Sequence, residues 1–398
     1  MLNKNKRKIA IFTGNRAEYG LQYPIIAAVN KHPDLTCHLM VSGAHLDPNF
    51  GNTLEEIKQD GFAIDCEIKI PVLEDSLLGT TQAIGSTVIS IAKELNRIKP
   101  DFFVVYADRF EGFAAVIAGS QMAIPVAHIE GGDLTEGGAL DDMVRHAMTK
   151  LAHLHFTTNE DASRRIMAMG EETWRVHTVG FPMIDLIKDK KYATPEEVKN
   201  KLPINFEKPI VLFTQHSVTT EFNQAMEQLL PSITALEKLV DDGVQVIATF
   251  SNNDAGGLKI SQTLSERFKN KPGFILRNSL GRYLYHGILA LALDRSIKVC
   301  CAGNSSSGIK ETPAFGCPTV NIGSRQDRRL RGENVIDCGY NELEIYKAIK
   351  KCFDNENFRK TCFDTSNPYG LGDAGIKIAN ILATTELGKK IILKKMTI

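Results

Sequence analysis

Short apolar runs of four to seven residues recur along most of this chain, each followed by a longer segment with helical spacing, and this alternation limits the fold more than any other feature. A run that short suits a strand covered on both faces and is too brief for a core helix. Strands that alternate with helices pair in parallel, the helices returning over both faces of the sheet. In the first half the predicted strands are Ile9 to Thr13, His38 to Ser42, Phe102 to Ala107, Val126 to Ile129 and His155 to Thr158. The second half repeats the scheme with Pro209 to Thr214, Val244 to Phe250, Ile297 to Cys301 and Thr319 to Ile322. A chain of 398 residues exceeds one ordinary core. The expected organisation is two parallel α/β domains, 1–185 and 186–372. A terminal segment, 373–398, supplies a helix over Asp373 to Leu382 that packs toward the first domain, followed by a polar, lysine-rich tail. The linker is placed between Gly180 and Leu202, where Pro182, Pro195 and the run Lys188-Asp189-Lys190-Lys191 fall.

Polar clusters sit just beyond the C-terminal ends of these strands. Arg16 and Glu18 follow the first strand, Asp108, Arg109 and Glu111 follow Phe102 to Ala107, and Glu130 and Asp133 follow Val126 to Ile129. In the second half His216 follows Pro209 to Thr214, Asn252 to Asp254 follow Val244 to Phe250, and Arg325 follows Thr319 to Gly323. Open α/β sheets bind ligands in the crevice outside those ends. Two such sheets facing each other would line one cleft with both sets.

Lys+Arg and Asp+Glu number 47 each, so no net charge favours nucleic acid or an anionic membrane surface. No apolar stretch reaches the length needed to cross a bilayer, and the basic start, Met1 to Lys8, runs into a strand without a cleavable apolar region. The eight cysteines form no C-x-x-C pair, which predicts buried free thiols in a reducing cytoplasm.

Gly303-Asn304-Ser305-Ser306-Ser307-Gly308-Ile309-Lys310-Glu311 reads as a strand–loop–helix turn. Its backbone N–H groups and serine hydroxyls at a helix N-terminus suit an anion such as phosphate. Gly14-Asn15-Arg16-Ala17-Glu18-Tyr19-Gly20 is not G-x-G-x-x-G, and no G-x-x-x-x-G-K-[ST] occurs, so neither a nicotinamide cofactor nor NTP hydrolysis is indicated. The first half offers Asp108, Glu130, Asp133, Glu136, Asp141 and Asp142 instead. Carboxylates crowded in a cleft separate into an acid and a base for proton transfer. A structural role competes for two of them: Asp141 and Asp142 begin a helix, Met143 to Leu154, in which Asp141 reaches Arg145 one turn on. His216, flanked by polar residues at a strand end, is read as a ligand contact, His153 and His155 as packing, and His45 stays open between the two. Arg16, Arg109 and Arg325 are candidate partners for a diphosphate, whose oxygens match a guanidinium fork.

These motifs carry a resemblance. Gly14-Asn15-Arg16-Ala17-Glu18-Tyr19, Ser42-Gly43-Ala44-His45-Leu46 with Gly51-Asn52-Thr53, Ala107-Asp108-Arg109, His128-Ile129-Glu130-Gly131-Gly132-Asp133, Asp141-Asp142 with Arg145-His146, Gln215-His216, Gly303 to Glu311, and Asn321-Ile322-Gly323-Ser324-Arg325-Gln326 stand in that order. In combination the chain resembles the UDP-N-acetylglucosamine 2-epimerase family over nearly its whole length, and within it the hydrolysing branch of sialic and legionaminic acid synthesis. The resemblance implies a double-Rossmann fold of the GT-B kind with UDP held mainly by the C-terminal domain. It implies that Ser305 and Ser306 hold the diphosphate, Glu311 the ribose, and Arg16, His216 and Arg325 the phosphates. Asp108, Glu130 and Asp141 become the proton-transfer set, with the register between Asp141 and Asp142 left open by the Gly137-Gly138 pair. Glu18, Arg109, Arg145, Asn252, Asp254 and Asn278 complete the implied substrate contacts. The implied enzyme needs no cofactor or metal, and is a cytoplasmic homo-oligomer. Its substrate is UDP-N-acetylglucosamine or a UDP-2,4-diacetamido-6-deoxy sugar. A glycosyltransferase on the same fold, a non-hydrolysing epimerase and a nucleotide-sugar sensor are the competing readings.

Overall fold

The computed structural model describes residues 6–46, 53–70, 76–134, 140–252 and 255–398. Asp254, Glu136, Gly137-Gly138, Asp47-Pro48-Asn49 and Gly51-Asn52 lie outside these residues, as does the side chain of Arg16. The chain forms two units, one of Met1–Asp133, Leu140–Asp185 and Tyr369–Ile398, the other of Leu134–Ala139 and Leu186–Pro368.

The first unit contains a sheet of seven strands: β1 (Arg7–Thr13), β2 (Leu35–Ser42), β3 (Ile64–Ile68), β4 (Phe102–Tyr106), β5 (Val126–Ile129), β6 (Leu154–Thr157) and β7 (Val176–Thr178). They lie in the order β3-β2-β1-β4-β5-β6-β7, and neighbouring strands pair in parallel. Period-two alternation supplies both faces. Ile9, Ile11, Phe102 and Val104 enter one core with Ile25, Ile26 and Val29, while Ala10, Phe12, Phe103 and Val105 enter the other with Ile91 and Leu95. Each of these side chains larger than alanine contributes about 1.5–3 kcal/mol when fully removed from water, so the apolar runs hold the sheet from both sides.

The second unit has six strands, β8 (Ile210–Thr214), β9 (Gln245–Thr249), β10 (Phe274–Arg277), β11 (Val299–Gly303), β12 (Thr319–Ile322) and β13 (Val335–Cys338). Their order is β10-β9-β8-β11-β12-β13, again parallel. Val211, Phe213, Val246, Cys300 and Val320 share a core with Leu229, Ile233 and Leu236 of the helix Ala225–Asp241. All eight cysteines are free thiols. Among the described residues no helix is long and apolar enough to cross a membrane.

Several expectations need correction. The helix predicted from Met143 to Leu154 runs Leu140–Leu151, because Leu154 is already in β6 beside Ala127. The units divide at Asp185/Leu186, within the Gly180–Leu202 segment, which holds two helices, Met183–Lys188 and Pro195–Lys201. Pro195 starts the second: Thr194 and Glu197 form a reciprocal cap, and proline at a first helical position loses no backbone bond. The lysine-rich tail is not simply polar. Ile391 is fully buried, and the buried Arg175 guanidinium donates to the carbonyls of Lys390, Ile391 and Leu393, to that of His153, and to Glu172. The helix Ala374–Thr384 is fastened by Asp185, whose carboxylate accepts from the Ala374 and Gly375 amides at 3.0 and 2.8 Å.

Candidate active site

In the first sheet the strand order reverses between β1 and β4, and in the second between β8 and β11. Such switch points open a crevice at the strand C-termini. The sequence-predicted residues Arg16, Glu18, Asp108 and Arg109 follow β1 and β4, and His216, Ser305 and Ser306 follow β8 and β11.

In the first unit the centre is Arg145, 4% exposed, on the inner face of the helix Leu140–Leu151. Its Nη2 pairs with Asp108, and its Nη1 donates to Asp142 Oδ1 at 2.7 Å and to the Asp133 carbonyl at 2.9 Å. Asp142 is therefore a helix-start acid paired with Arg145. Asp142 is buried and Asp141 exposed, because positions 142, 145 and 149 share the covered stripe of this helix. Glu130 is also buried, and the Tyr106 hydroxyl donates to its Oε2. Burial beside Glu130 pushes the Tyr106 phenol well above its usual range, so it stays a donor. Ala107 and Glu130 both adopt left-handed φ, 54° and 64°. Non-glycine residues rarely hold that conformation, and it gathers at functional sites. His128 supports the first turn. Its Nε2–H donates to the Ala107 carbonyl at 2.7 Å, its Nδ1 faces Thr149 Oγ1 at 3.2 Å, and burial lowers its pKa to about 4, which keeps the ring neutral.

Two further residues expected on substrate make local pairs. Arg109 precedes the helix Phe110–Gln121 with its Nε 3.4 Å from Glu111 Oε2. Glu18 is buried and accepts from the Gly14 amide at 2.9 Å. Burial first, then the charge of Glu111, raises its pKa from the ordinary 4.5 to about 8. Between those values the folded chain holds a proton that the unfolded chain releases. Glu18 therefore favours folding fully below pH 4.5, and that contribution is lost as pH rises through about 8. Glu18→Gln should flatten this dependence. Thermal midpoints measured from about pH 5 to about pH 9 should fall more for the wild type than for the variant, and parallel profiles would refute it. His45 lies between Thr13 Oγ1 and Thr53 Oγ1, at 3.0 and 2.9 Å, and burial lowers its pKa to about 4.

In the second unit Asn304, 1% exposed, ties three strand ends together. Its Oδ1 accepts from the His216 amide at 2.7 Å and its Nδ2 donates to the His216 carbonyl at 2.9 Å. Its own carbonyl accepts from Arg325 Nη1 and Gln326 Nε2 at 3.2 and 2.8 Å. Gly303 must be glycine: at φ 123° a Cβ there would overlap the Thr214 carbonyl oxygen. His216 Nδ1 accepts from the Asn252 amide at 3.1 Å, so the neutral ring carries its proton on Nε2. Burial and the Arg325 charge lower its pKa to about 3, making it a neutral donor. Ser305 Oγ meets Ser307 Oγ at 3.0 Å, which in turn meets the Tyr285 hydroxyl at 2.8 Å.

The helical segment behind the serine loop is short. It spans only Ser307–Lys310 before a 3₁₀ turn, Thr312–Phe315, because Pro313 cannot continue the ladder. A single turn carries little macrodipole, so any anion here depends on local amides and hydroxyls. Glu311 accepts from His286 Nε2 at 2.7 Å. Asn278 is exposed at the end of β10 and, with Phe250, Asn252, Gly256 and Ser261, borders a pocket of about 830 Å³.

Sequence reading assigned no role to Tyr106, His128, His286 and Asn304. Only His128 carried a visible signal, a polar residue inside an apolar strand. The UDP-N-acetylglucosamine 2-epimerase family pattern matches residues 27–383. This chain belongs to that family. It is 32% identical over 346 residues to the UDP-N-acetylglucosamine 2-epimerase of Neisseria meningitidis serogroup B, covering 87% of each chain. It is 31% identical over 388 residues to the hydrolysing UDP-N,N'-diacetylbacillosamine 2-epimerase of Legionella pneumophila, covering 98% of each. Its fold matches that of the Neisseria meningitidis UDP-GlcNAc 2-epimerase bound to UDP-GlcNAc with a TM-score of 0.80 at 18% identity, over 95% of this chain and 100% of that one. The double parallel-sheet architecture of this epimerase family is thus the one expected from the strand pattern.

Proposed function

We propose that this chain is a hydrolysing UDP-sugar 2-epimerase that converts a UDP-2-acetamido sugar and water to UDP and the free 2-epimeric sugar. The observation that carries the reading is the pair of carboxylates at adjacent strand ends, Glu130 held by Tyr106 and Asp108 held by Arg145. Two carboxylates so placed favour proton transfer over nucleotide binding alone.

The C2–H bond is a weak acid, and removing its proton becomes feasible when UDP leaves from C1 in the same step. One carboxylate takes the C2 proton, the C1–O bond breaks, and its electron pair departs with the diphosphate, giving a 2-acetamidoglycal. A proton is then delivered to the opposite face of C2 while water adds at C1. Asp108 and Glu130 are assigned to these transfers, with the acid of the Asp141–Asp142 pair as a third member. Burial and the bond to Arg145 favour Asp142 for that place. The His216 Nε2–H, Arg325, Arg16 and the hydroxyls and amides of Ser305 and Ser306 are assigned to the diphosphate, where each donor lost costs roughly 3 kcal/mol of transition-state stabilisation. Glu311 is assigned to the ribose, and Asn252, Asp254 and Asn278 to the remainder of the nucleotide. The reading includes a place in sialic or legionaminic acid synthesis in the cytoplasm, and assembly as a homo-oligomer.

The test is incubation with UDP-N-acetylglucosamine in D2O without an acceptor, followed by NMR. Deuterium at C2 of a free mannosamine-configured sugar is expected. Turnover that appears only with an added acceptor would replace this reading with a glycosyltransferase. Likeness to the Legionella enzyme gives the UDP-2,4-diacetamido sugar equal standing as substrate, and the same incubation with that sugar ranks the two.

A further inference from the structure

Glu311 sits at the junction between the one-turn helix Ser307–Lys310 and the 3₁₀ turn Thr312–Phe315, so no continuous helix sets the direction of its side chain. Its carboxylate is instead held across the fold by His286 of the helix Gly281–Ala290, whose Nε2 lies 2.7 Å from Glu311 Oε2. His286 is 1% exposed. Its ring packs beside Tyr285 and Phe315, with centroids 6.3 and 5.6 Å away. A carboxylate oxygen accepts, so Nε2 carries the hydrogen. Nδ1 is buried and has no hydrogen-bond partner among the described residues. An unmet buried polar atom destabilises the fold. Phenylalanine would fill the same space between Tyr285 and Phe315 without that cost. The feature that distinguishes histidine here is the Nε2–H bond to Glu311.

We infer that His286 is a positioning residue that fixes Glu311 with Oε2 occupied and Oε1 turned to accept a hydroxyl of the nucleotide ribose. The inference rests on the assignment of Glu311 to the ribose made above. It accounts for how a lone, mostly buried carboxylate tells a ribonucleotide from a deoxyribonucleotide: only a preset acceptor loses a full bond when the hydroxyl is missing. The role is confined to this contact, and the diphosphate and the proton transfers lie elsewhere in the chain.

Calorimetric titration of UDP, 2′-deoxy-UDP and 3′-deoxy-UDP tests it on the full chain. The wild type should prefer UDP over at least one deoxy analogue by about tenfold or more, the scale of a hydrogen bond to a charged group. His286→Phe and His286→Leu, two packing-compatible removals of the donor so that one misfolded variant does not end the experiment, should compress that preference to within about threefold through weaker UDP binding. His286→Gln, whose side-chain N–H reaches a similar place, should keep most of it. A purely structural histidine would instead lower affinity for all three nucleotides alike, or leave Gln no better than Phe, and either result overturns the inference. Glu311→Gln separates the two levels. If it abolishes the preference and the His286 variants do not, His286 has no positioning role while the ribose assignment stands. If the wild type itself shows no preference, the assignment of Glu311 fails first.

Discussion

Glu130→Gln should lower turnover at least about 100-fold, the scale of general acid–base catalysis, while UDP affinity stays close to that of the wild type. The change is nearly isosteric, and the amide oxygen of the glutamine can still accept from the Tyr106 hydroxyl that now meets Glu130 Oε2. What disappears is the capacity to take and return a proton. The left-handed φ of 64° at this residue is set by the backbone after β5, so the substitution leaves the turn in place. Asp108→Asn should behave likewise, although its bond to Arg145 weakens from charged to neutral. Steady-state rates and UDP titrations on both variants are the measurement. Near-normal turnover in either one removes that residue from the proton-transfer set.

The second large effect is on stability. Arg145 is 4% exposed and compensates two carboxylates at once, Asp108 and Asp142. Arg145→Met leaves Asp142 buried without its cation, and breaking a buried pair from one side costs about 3–5 kcal/mol. A chain with ordinary domain stability then loses a large part of it, seen as a lower denaturant midpoint with little change in slope. Arg145→Met combined with Asp142→Leu should recover part of that loss, since the stranded charge is gone, but no turnover should return because Asp108 has lost its partner and the favoured third acid of the proton-transfer set is removed. Equal stability of the single and double variants would show that the pair contributes no more than a surface bridge.

Much of this protein is legible in the sequence, and the limits of legibility have a consistent cause. Nine strands are visible as apolar runs because each is covered on both faces by helices. The four that are not visible, β3, β7, β10 and β13, are the four sheet edges. Their residues are mostly half-exposed, as in Val335–Cys338, where none is fully covered, so none carries an apolar run of four residues. An edge strand has one neighbour rather than two, and its sequence relaxes accordingly.

The candidate site divides the same way. Strand ends mark where candidate site residues lie, so Asp108, Glu130, His216 and Ser305 could be proposed from local pattern alone. Their partners could not. Whether Asp141 or Asp142 meets Arg145 depends on which stripe of the helix Leu140–Leu151 is covered. That Glu311 meets His286, 25 residues away in sequence, or that Asn304 clamps His216, 88 away, depends on which strands the crossovers bring together. Periodicity and turn chemistry act between residues a few positions apart and so are written in the sequence itself. The state of a buried ionisable group, such as the raised pKa of Glu18 or the neutral ring of His216, is set by whatever distant residue and degree of burial the fold supplies. The sequence by itself therefore determined the double parallel α/β architecture and the edges at which chemistry occurs, and only the tertiary structure decided which groups are paired, charged or held there.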